Sequence, residues 1–351
     1  MKRVLVAPLD WGLGHATRCI PIIRVLLESR CEVILGGSGS SLALLRTEFP
    51  ELKAEELPGY KPTYPASGSM MIKLALQAPR FLRTVLNENS ATEKLVEKHQ
   101  ISLIVSDNRY GCYSSKVPSV FITHQLNLIA PPGWGWLATF ANYVTHIFMK
   151  RFSECWVPDF PESLLSGKLS RTRNQLIKFI GPLSRLHASP QTNAYDLLAI
   201  ISGPEPQRTL FEQLAILEIM KSGKKALVVR GVMGTERKMI ADRIEVADHL
   251  SSEKLSEVMA ASKMVLSRSG YSTIMDLARL GKKAIFVPTP GQTEQEYLAH
   301  RFKELQVAYF MEQKSFSLAY ALNESEKYSG FKNYFSDDDR LKQAFASYLQ
   351  S

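Results

Sequence analysis

Apolar positions along the chain fall into short blocks separated by helix-like stretches. RVLVAP at residues 3–8 is apolar and β-branched, and residues 16–29 carry apolar positions at helical spacing. CEVILGG, ISLIVSD and VPSVFITHQ repeat the strand-like pattern, with the helical SLALLRTEF and the basic-amphipathic MIKLALQAPRFLRTVL between them. Strands apolar on both faces that alternate with helices predict a parallel sheet covered on both sides. The pattern restarts after GPLSRLHASPQTN, with YDLLAIISG, KKALVVRG, RIEVAD, KMVLSRSG and KKAIFVPTP. Two doubly wound α/β halves facing across a cleft are therefore expected. The first spans residues 1–180, a linker 181–194 and the second 195–335, with a final helix over 336–351 that has the option of packing back on the first.

Composition narrows the picture a little. The 351 residues suffice for two cores, and 45% hydrophobic with 22% charged residues is ordinary for a globular chain. Cys19, Cys31, Cys112 and Cys155 form no C-x-x-C pair, so neither a zinc site nor a disulfide framework is suggested. No apolar run is long enough for a membrane helix. The first apolar stretch is too short for a signal peptide and runs into Asp10, so a cytoplasmic chain is expected. The net charge of +9 suits an anionic partner. Without a recognisable nucleic-acid motif, a phosphorylated substrate or an acidic membrane surface is favoured over nucleic acid.

The candidate chemistry sits at strand ends, where open α/β sheets bind ligands. LDWGLGHATRCIP follows the first strand. Gly12 and Gly14 would let the backbone approach a ligand, and a helix N-terminus there would hold His15 in its neutral form. Arg18 would share a helix face with His15 and meet a negative group. Pro21 suits a first helical turn, so the regular helix is expected to begin only near Cys19. In the second half, ISGPEPQRTLFEQL opens a helix with Arg208 near its start. LSRSGYSTIMDLARL ends a strand with Ser267, Arg268, Ser269 and Gly270 and opens a helix with Ser272 and Thr273. Such a turn offers amides and hydroxyls to phosphate, with Asp276 placed for a ribose diol. Gln295 and Glu296, early in a later helix, would reach a sugar.

Taken in this order, these stretches resemble the GT-B glycosyltransferases that make the peptidoglycan lipid intermediate and their galactolipid-synthase relatives. The resemblance covers most of the chain and is sharpest over residues 9–18 and 263–303. It implies two Rossmann-like domains, with His15 acting near the acceptor and Gly14 in its glycine loop. It implies that Arg268, Ser269, Gly270, Thr273 and Asp276 hold a uridine diphosphate sugar, with Asp276 on the ribose. The family's paired glutamines fall on Gln295 and Glu296, so one is replaced. Its G-G-S-x-G loop is here Ser202-Gly203-Pro204-Glu205-Pro206, although Arg208 still matches an arginine of that motif.

VSDNRYG places Asp107, Asn108 and Arg109 at another strand end. Asp107 would orient His15 or the acceptor, or simply close an Asx turn. Asn108, Arg109 and His124 of FITHQLN are candidate acceptor contacts, with a buried hydrogen-bonded histidine the plainer reading of His124. SDDDR at 336–340 contains a D-x-D but precedes a helix, so it reads as an N-cap and no metal site is expected. Stretches 70–83 and 129–152 are apolar and aromatic with Lys73, Arg80, Arg83, Lys150 and Arg151, as core or as a patch for an anionic membrane.

The reading that results is an inverting, metal-independent and cofactor-free transferase. It moves sugar from a UDP-sugar to a hydroxyl acceptor, a soluble sugar or a lipid-linked one, with peripheral attachment to the inner membrane face as an extension. A nucleotide-sugar hydrolase of the same fold, which also carries G-x-G-H-x-x-R, and a non-catalytic nucleotide-sugar or lipid-phosphate binder are the alternatives.

Overall fold

A computed structural model describes residues 1–60, 78–130, 133–188, 194–232, 234–335 and 339–349. The chain divides into two compact units, Met1–Ser184 with Asp337–Ser351, and Arg185–Ser336.

The first unit is built on one sheet. Its strands are β1 (Arg3–Pro8), β2 (Glu32–Gly37), β3 (Lys53–Glu56), β4 (Leu103–Asp107), β5 (Ser119–Ile122), β6 (Glu154–Val157) and β7 (Ile177–Phe179). They lie in the order β3-β2-β1-β4-β5-β6-β7 and pair in parallel. The helices are α1 (Leu13–Glu28), α2 (Gly39–Glu48), α3 (Ala78–His99), α4 (Gly135–Met149) and, from the chain's end, α10 (Arg340–Leu349). Phe345 of α10 is fully buried with its ring 4.9 Å from that of Trp156, which makes the last helix part of this unit. Of the SDDDR stretch, Ser336, Asp337 and Asp338 lie outside the described residues. The backbone oxygen of Asp339 accepts from the amide of Gln343 at 2.8 Å as α10 begins.

One expectation changes here. The helix after β1 starts at Leu13, so Pro21 lies in its interior. A proline there forfeits a helical hydrogen bond, at a cost of about 3 kcal/mol. Burial of Ile20, Ile22, Ile23 and Leu26 against the sheet offsets that loss and keeps the helix continuous.

The second unit repeats the plan with β8 (Tyr195–Ile200), β9 (Ala226–Val229), β10 (Arg237–Ala241), β11 (Ile244–Ala247), β12 (Ser262–Ser267), β13 (Ala284–Phe286) and β14 (Tyr309–Phe310). Their order is β10-β11-β9-β8-β12-β13-β14, parallel except for β10 against β11. Helices α5 (Gln207–Ser222), α6 (Ser252–Ala260), α7 (Tyr271–Leu280), α8 (Thr293–Glu304) and α9 (Leu318–Ser325) complete the unit. Phe211, Ile219, Leu266, Ile285 and Leu318 anchor its core.

Each sheet has a point where strand order reverses. In the first unit the chain steps from β1 out to β2 and β3, then returns to lay β4 on the other side of β1. In the second it steps from β8 out to β9 and returns to lay β12 on the other side of β8. Loops leaving the carboxyl ends of strands beside such a reversal diverge and leave a crevice for ligands.

Candidate active site

In the first unit the reversal is flanked by the loop from β1 into α1 and by the end of β4. Gly12 caps α1 with φ of 85°, a conformation that favours glycine, and His15 is the third helical residue. Asp107, the last residue of β4, is fully buried. The His15 Nδ1 lies 3.0 Å from Asp107 Oδ1, with 15% of the imidazole side chain still exposed. Arg18, one turn further along α1, donates from Nε to Asp107 Oδ2 at 2.8 Å and from Nη2 to Oδ1. Its Nη1 donates to His124 Nδ1 at 2.8 Å, and Nη2 stands 2.7 Å from His15 Nδ1. The sequence-distant His15, Arg18, Asp107 and His124 thus form one polar cluster.

The electrostatics of this cluster are specific. Burial pushes the Asp107 carboxyl up, but the Arg18 charge and the hydrogen bonds from Arg18 and His15 bring it down to about 2. Asp107 is an anion. Burial, and then the neighbouring Arg18 cation, hold His15 below the ordinary imidazole value despite the attraction of Asp107. His15 is neutral at pH 7 for these reasons rather than through the helix end alone.

Several of the other candidate residues make bonds within the first unit. Arg18 is buried and committed to Asp107 and His124. Arg109 is also fully buried. It pairs with Glu88 and donates to the carbonyls of Pro8 at 3.2 Å and Pro58 at 2.7 Å, pinning loop ends. Glu88 further accepts from Tyr60 Oη and, at 2.9 Å, from the amide of Gly111. Asn108 occupies a left-handed position with φ of 57°, its amide bonded to the Ile122 carbonyl at 3.1 Å. Gly14 is the second residue of α1, its carbonyl accepting from Thr17 Oγ1 at 2.9 Å.

In the second unit the reversal lies between Ile200 and Ser267, the last residues of β8 and β12. α7 begins immediately beyond, with Gly270 as its N-cap and no side chain bonded to the cap. A Cβ built on Gly270 meets nothing within 4 Å, so there is room beside the N-cap of α7, where the positive end of the helix lies. Ser272, Thr273 and Asp276 are half-buried on the first turns of that helix. Ser269 is buried and donates to the Gln295 carbonyl at 2.7 Å, tying α7 to α8. Gln295 accepts from the Thr289 amide at 2.8 Å and Glu296 from the Gly291 amide at 2.8 Å, so both shape the loop that precedes α8.

The two candidate arginines of this unit are both engaged by partners within it. Arg268 is fully buried, stacks 4.2 Å over Phe211 and donates to the carbonyls of Val287, Pro288 and Gln207 at 2.9, 3.1 and 3.0 Å. Burial lowers its guanidinium to about 9. It braces the site from beneath. Arg208 is held by Glu205 at 2.6 Å and by Glu212 at 2.5 Å, and Glu212 also binds Arg230 at 2.7 Å. A ligand phosphate would have to compete with these carboxylates. Glu88 and Asp248, which accepts from Arg230 at 3.0 Å, carry no motif that the sequence would reveal, whereas Glu212 lies at the i+4 helical spacing from Arg208.

Two apolar stretches expected as core or as membrane patch can be placed in part. Residues 70–77, Lys73 among them, lie outside the described residues. Of α4, only Phe148 and Met149 are buried. Trp136, Phe140, Tyr143 and Ile147 are 69%, 62%, 65% and 42% exposed and recur at helical spacing along one face. Lys150 and Arg151 at the end of α4, and Arg80 and Arg83 on α3, are exposed too. Among the described residues, no helix is long and apolar enough to cross a membrane.

Comparison with known proteins agrees with this layout. Residues 251–336 match the glycosyltransferase family 28 C-terminal domain. A Haemophilus ducreyi UDP-N-acetylglucosamine–N-acetylmuramyl-(pentapeptide) pyrophosphoryl-undecaprenol N-acetylglucosamine transferase is 27% identical over 68% of this chain and 68% of its own. An uncharacterised glycosyltransferase of Methanosarcina mazei is 25% identical over 86% of this chain and 84% of its own. Among solved structures, the kitacinnamycin glycotransferase superposes with a TM-score of 0.69 at 14% identity, covering 99% of both chains. Acinetobacter baumannii MurG gives 0.61 at 12% identity, covering 100% of this chain and 99% of its own. The chain is a glycosyltransferase of GT-B fold, similar to the peptidoglycan lipid-intermediate transferases and matching the family 28 C-terminal domain in its second unit.

Proposed function

We propose that the chain transfers a sugar from a UDP-sugar to a hydroxyl acceptor with inversion and without a metal ion. The observation that carries the donor half is the coincidence of three features at the start of α7. These are the open helix N-terminus at Gly270, the carboxylate of Asp276 two turns in, and the family 28 match over the same residues. The diphosphate would rest on the α7 amides with Ser272 and Thr273 beside it, and Asp276 would accept from the ribose hydroxyls. The uridine assignment is supported by the Haemophilus ducreyi relative, whose name gives UDP-N-acetylglucosamine as its donor.

His15 is the base in this reading. With its Nδ1 hydrogen donated to Asp107, Nε2 keeps a lone pair. It takes the acceptor hydroxyl's proton as that oxygen bonds to the anomeric carbon, and the bond to the diphosphate oxygen breaks to release UDP. The negative charge developing on the leaving diphosphate is met by the positive end of α7, so a dication is not called for.

The exposed face of α4 supports a lipid-linked acceptor presented at an anionic membrane surface. Trp136, Phe140, Tyr143 and Ile147 would enter the interface while Lys150, Arg151, Arg80 and Arg83 meet lipid phosphates, each basic residue adding about 1 kcal/mol.

The test is His15→Ala with UDP-sugar and a panel of lipid and sugar acceptors. Turnover falls by about 10² to 10⁴ while UDP affinity is unchanged. Near-normal turnover removes His15 as base. Equal UDP release with and without acceptor assigns the protein to the hydrolases instead.

A further inference from the structure

Arg18 is the one cation of the His15 cluster, and its placement asks for an explanation. Salt-bridge geometry alone does not supply one, because a guanidinium buried to 1% exposure beside a general base works against that base. Its fork grips both oxygens of Asp107, and its remaining reach spans the two histidines, with Nη1 at 2.8 Å from His124 Nδ1 and Nη2 at 2.7 Å from His15 Nδ1. A protonated His15 would set an imidazolium in direct contact with that guanidinium.

We propose that Arg18 is the positioning residue that fixes the charge state of the His15–Asp107 pair, anionic carboxylate against neutral imidazole, so that His15 stays ready to accept a proton under mildly acidic conditions. This rests on His15 being the base of the proposed reaction. The groups facing His15 are few. Asp107 from β4 favours the imidazolium, while Arg18 from α1 and His124 beyond β5 oppose it. Cys19, with its Sγ 4.0 Å from Asp107 Oδ2, stays a thiol because burial pushes it well up. Burial is the largest influence that lowers His15 and Arg18 the next; without Arg18 the attraction of Asp107 meets less opposition, and the imidazole holds its proton to a higher pH. The arrangement is thus a trade. Arg18 makes His15 a weaker base but keeps it unprotonated, and it prevents the buried carboxylate from taking up a proton in its place.

The experiment is a pH titration of the full chain, labelled with ¹³C and ¹⁵N at histidine and followed by NMR, with His15 assigned by the signal lost in His15→Gln. In the native chain His15 titrates below the ordinary imidazole value. In Arg18→Gln its midpoint moves up by one pH unit or more, and in Arg18→Lys, which keeps the charge, it moves up by less. An unmoved midpoint in folded Arg18→Gln overturns the proposal. Should Arg18→Gln fail to fold, Arg18→Lys decides: a shifted imidazole titration or a changed ¹⁵N tautomer signature supports it, and signals identical to native overturn it. The acid limb of kcat/KM is read separately. If the midpoint moves but the limb does not follow, Arg18 governs His15 while His15 is not the base, which separates failure of the base assignment from failure of this one.

Discussion

At the scale of single residues, the first unit places a neutral imidazole beside a permanently ionised carboxylate, and pH exposes this. Asp107 is depressed to about 2, so its contribution to stability is present above the unfolded carboxylate value of about 4 and is lost as pH falls through about 2. His15 is also lowered, and the linkage has the same sign at a higher pH: the unfolded chain takes up its proton near pH 6.5 while the folded chain does not. Stability therefore declines as pH drops below about 6.5, and denaturant midpoints measured from pH 8 to 5 should fall monotonically. Activity in the same range should hold longer, with the acid limb of kcat/KM lying below the ordinary imidazole value. A limb above pH 7 would mean that Asp107, not Arg18, controls His15. The pairing was half legible. His15 and Asp107 stand out by their places after strands, but Arg18 reads in sequence as a ligand contact. Only the fold, which brings residue 107 under the first turns of α1, shows that its charge is already spent on a carboxylate.

At the scale of elements, the question is what each helix presents. α4 leaves Trp136, Phe140, Tyr143 and Ile147 on one exposed face, and their spacing of about one helical turn is readable directly from the sequence. The sequence does not say whether such a face is core or surface, since an apolar helix periodicity serves both. Trp136→Ser combined with Phe140→Ser should leave the unfolding midpoint nearly unchanged, because exposed positions shift stability by no more than about 0.5 kcal/mol each. Flotation with vesicles rich in anionic lipid should drop sharply and should also weaken in high salt. Loss of folding would place these side chains in the core. Equal flotation by native and variant chains would remove α4 as the contact. Strands show the opposite limit. β3, β6, β7, β10 and β14 escape a reading by apolar runs because they lie at sheet edges or are only a few residues long, as with the charged KAEE of β3, the four residues ECWV of β6 inside the sheet and the two residues of β14. The central strands, buried on both faces, were plain.

At the scale of the whole molecule, two doubly wound units carry complementary equipment beside their own strand-order reversals. The first holds an ionised Asp107 beneath a neutral His15. The second holds an open helix N-terminus with a carboxylate two turns on. That plan follows from periodicity and loop position, which is why the fold was legible, whereas the arginines were not. Arg109 and Arg268 each sit near a strand end as ligand contacts would, yet each is claimed by partners about twenty residues away, Glu88 and the carbonyls of Val287 and Pro288, while Arg208 is held within its own helical turns by Glu205 and Glu212. The central claim is that the second unit is built for uridine diphosphate. Calorimetric titration of the full chain with UDP, in chelator, alongside Asp276→Ala, tests it most directly. Binding of UDP in preference to ADP and GDP is expected, weakened in the variant by about 1–3 kcal/mol, the scale of hydrogen bonds to a charged group. Equal UDP affinity in native and variant chains, or binding that appears only when a divalent metal is restored, would contradict the account.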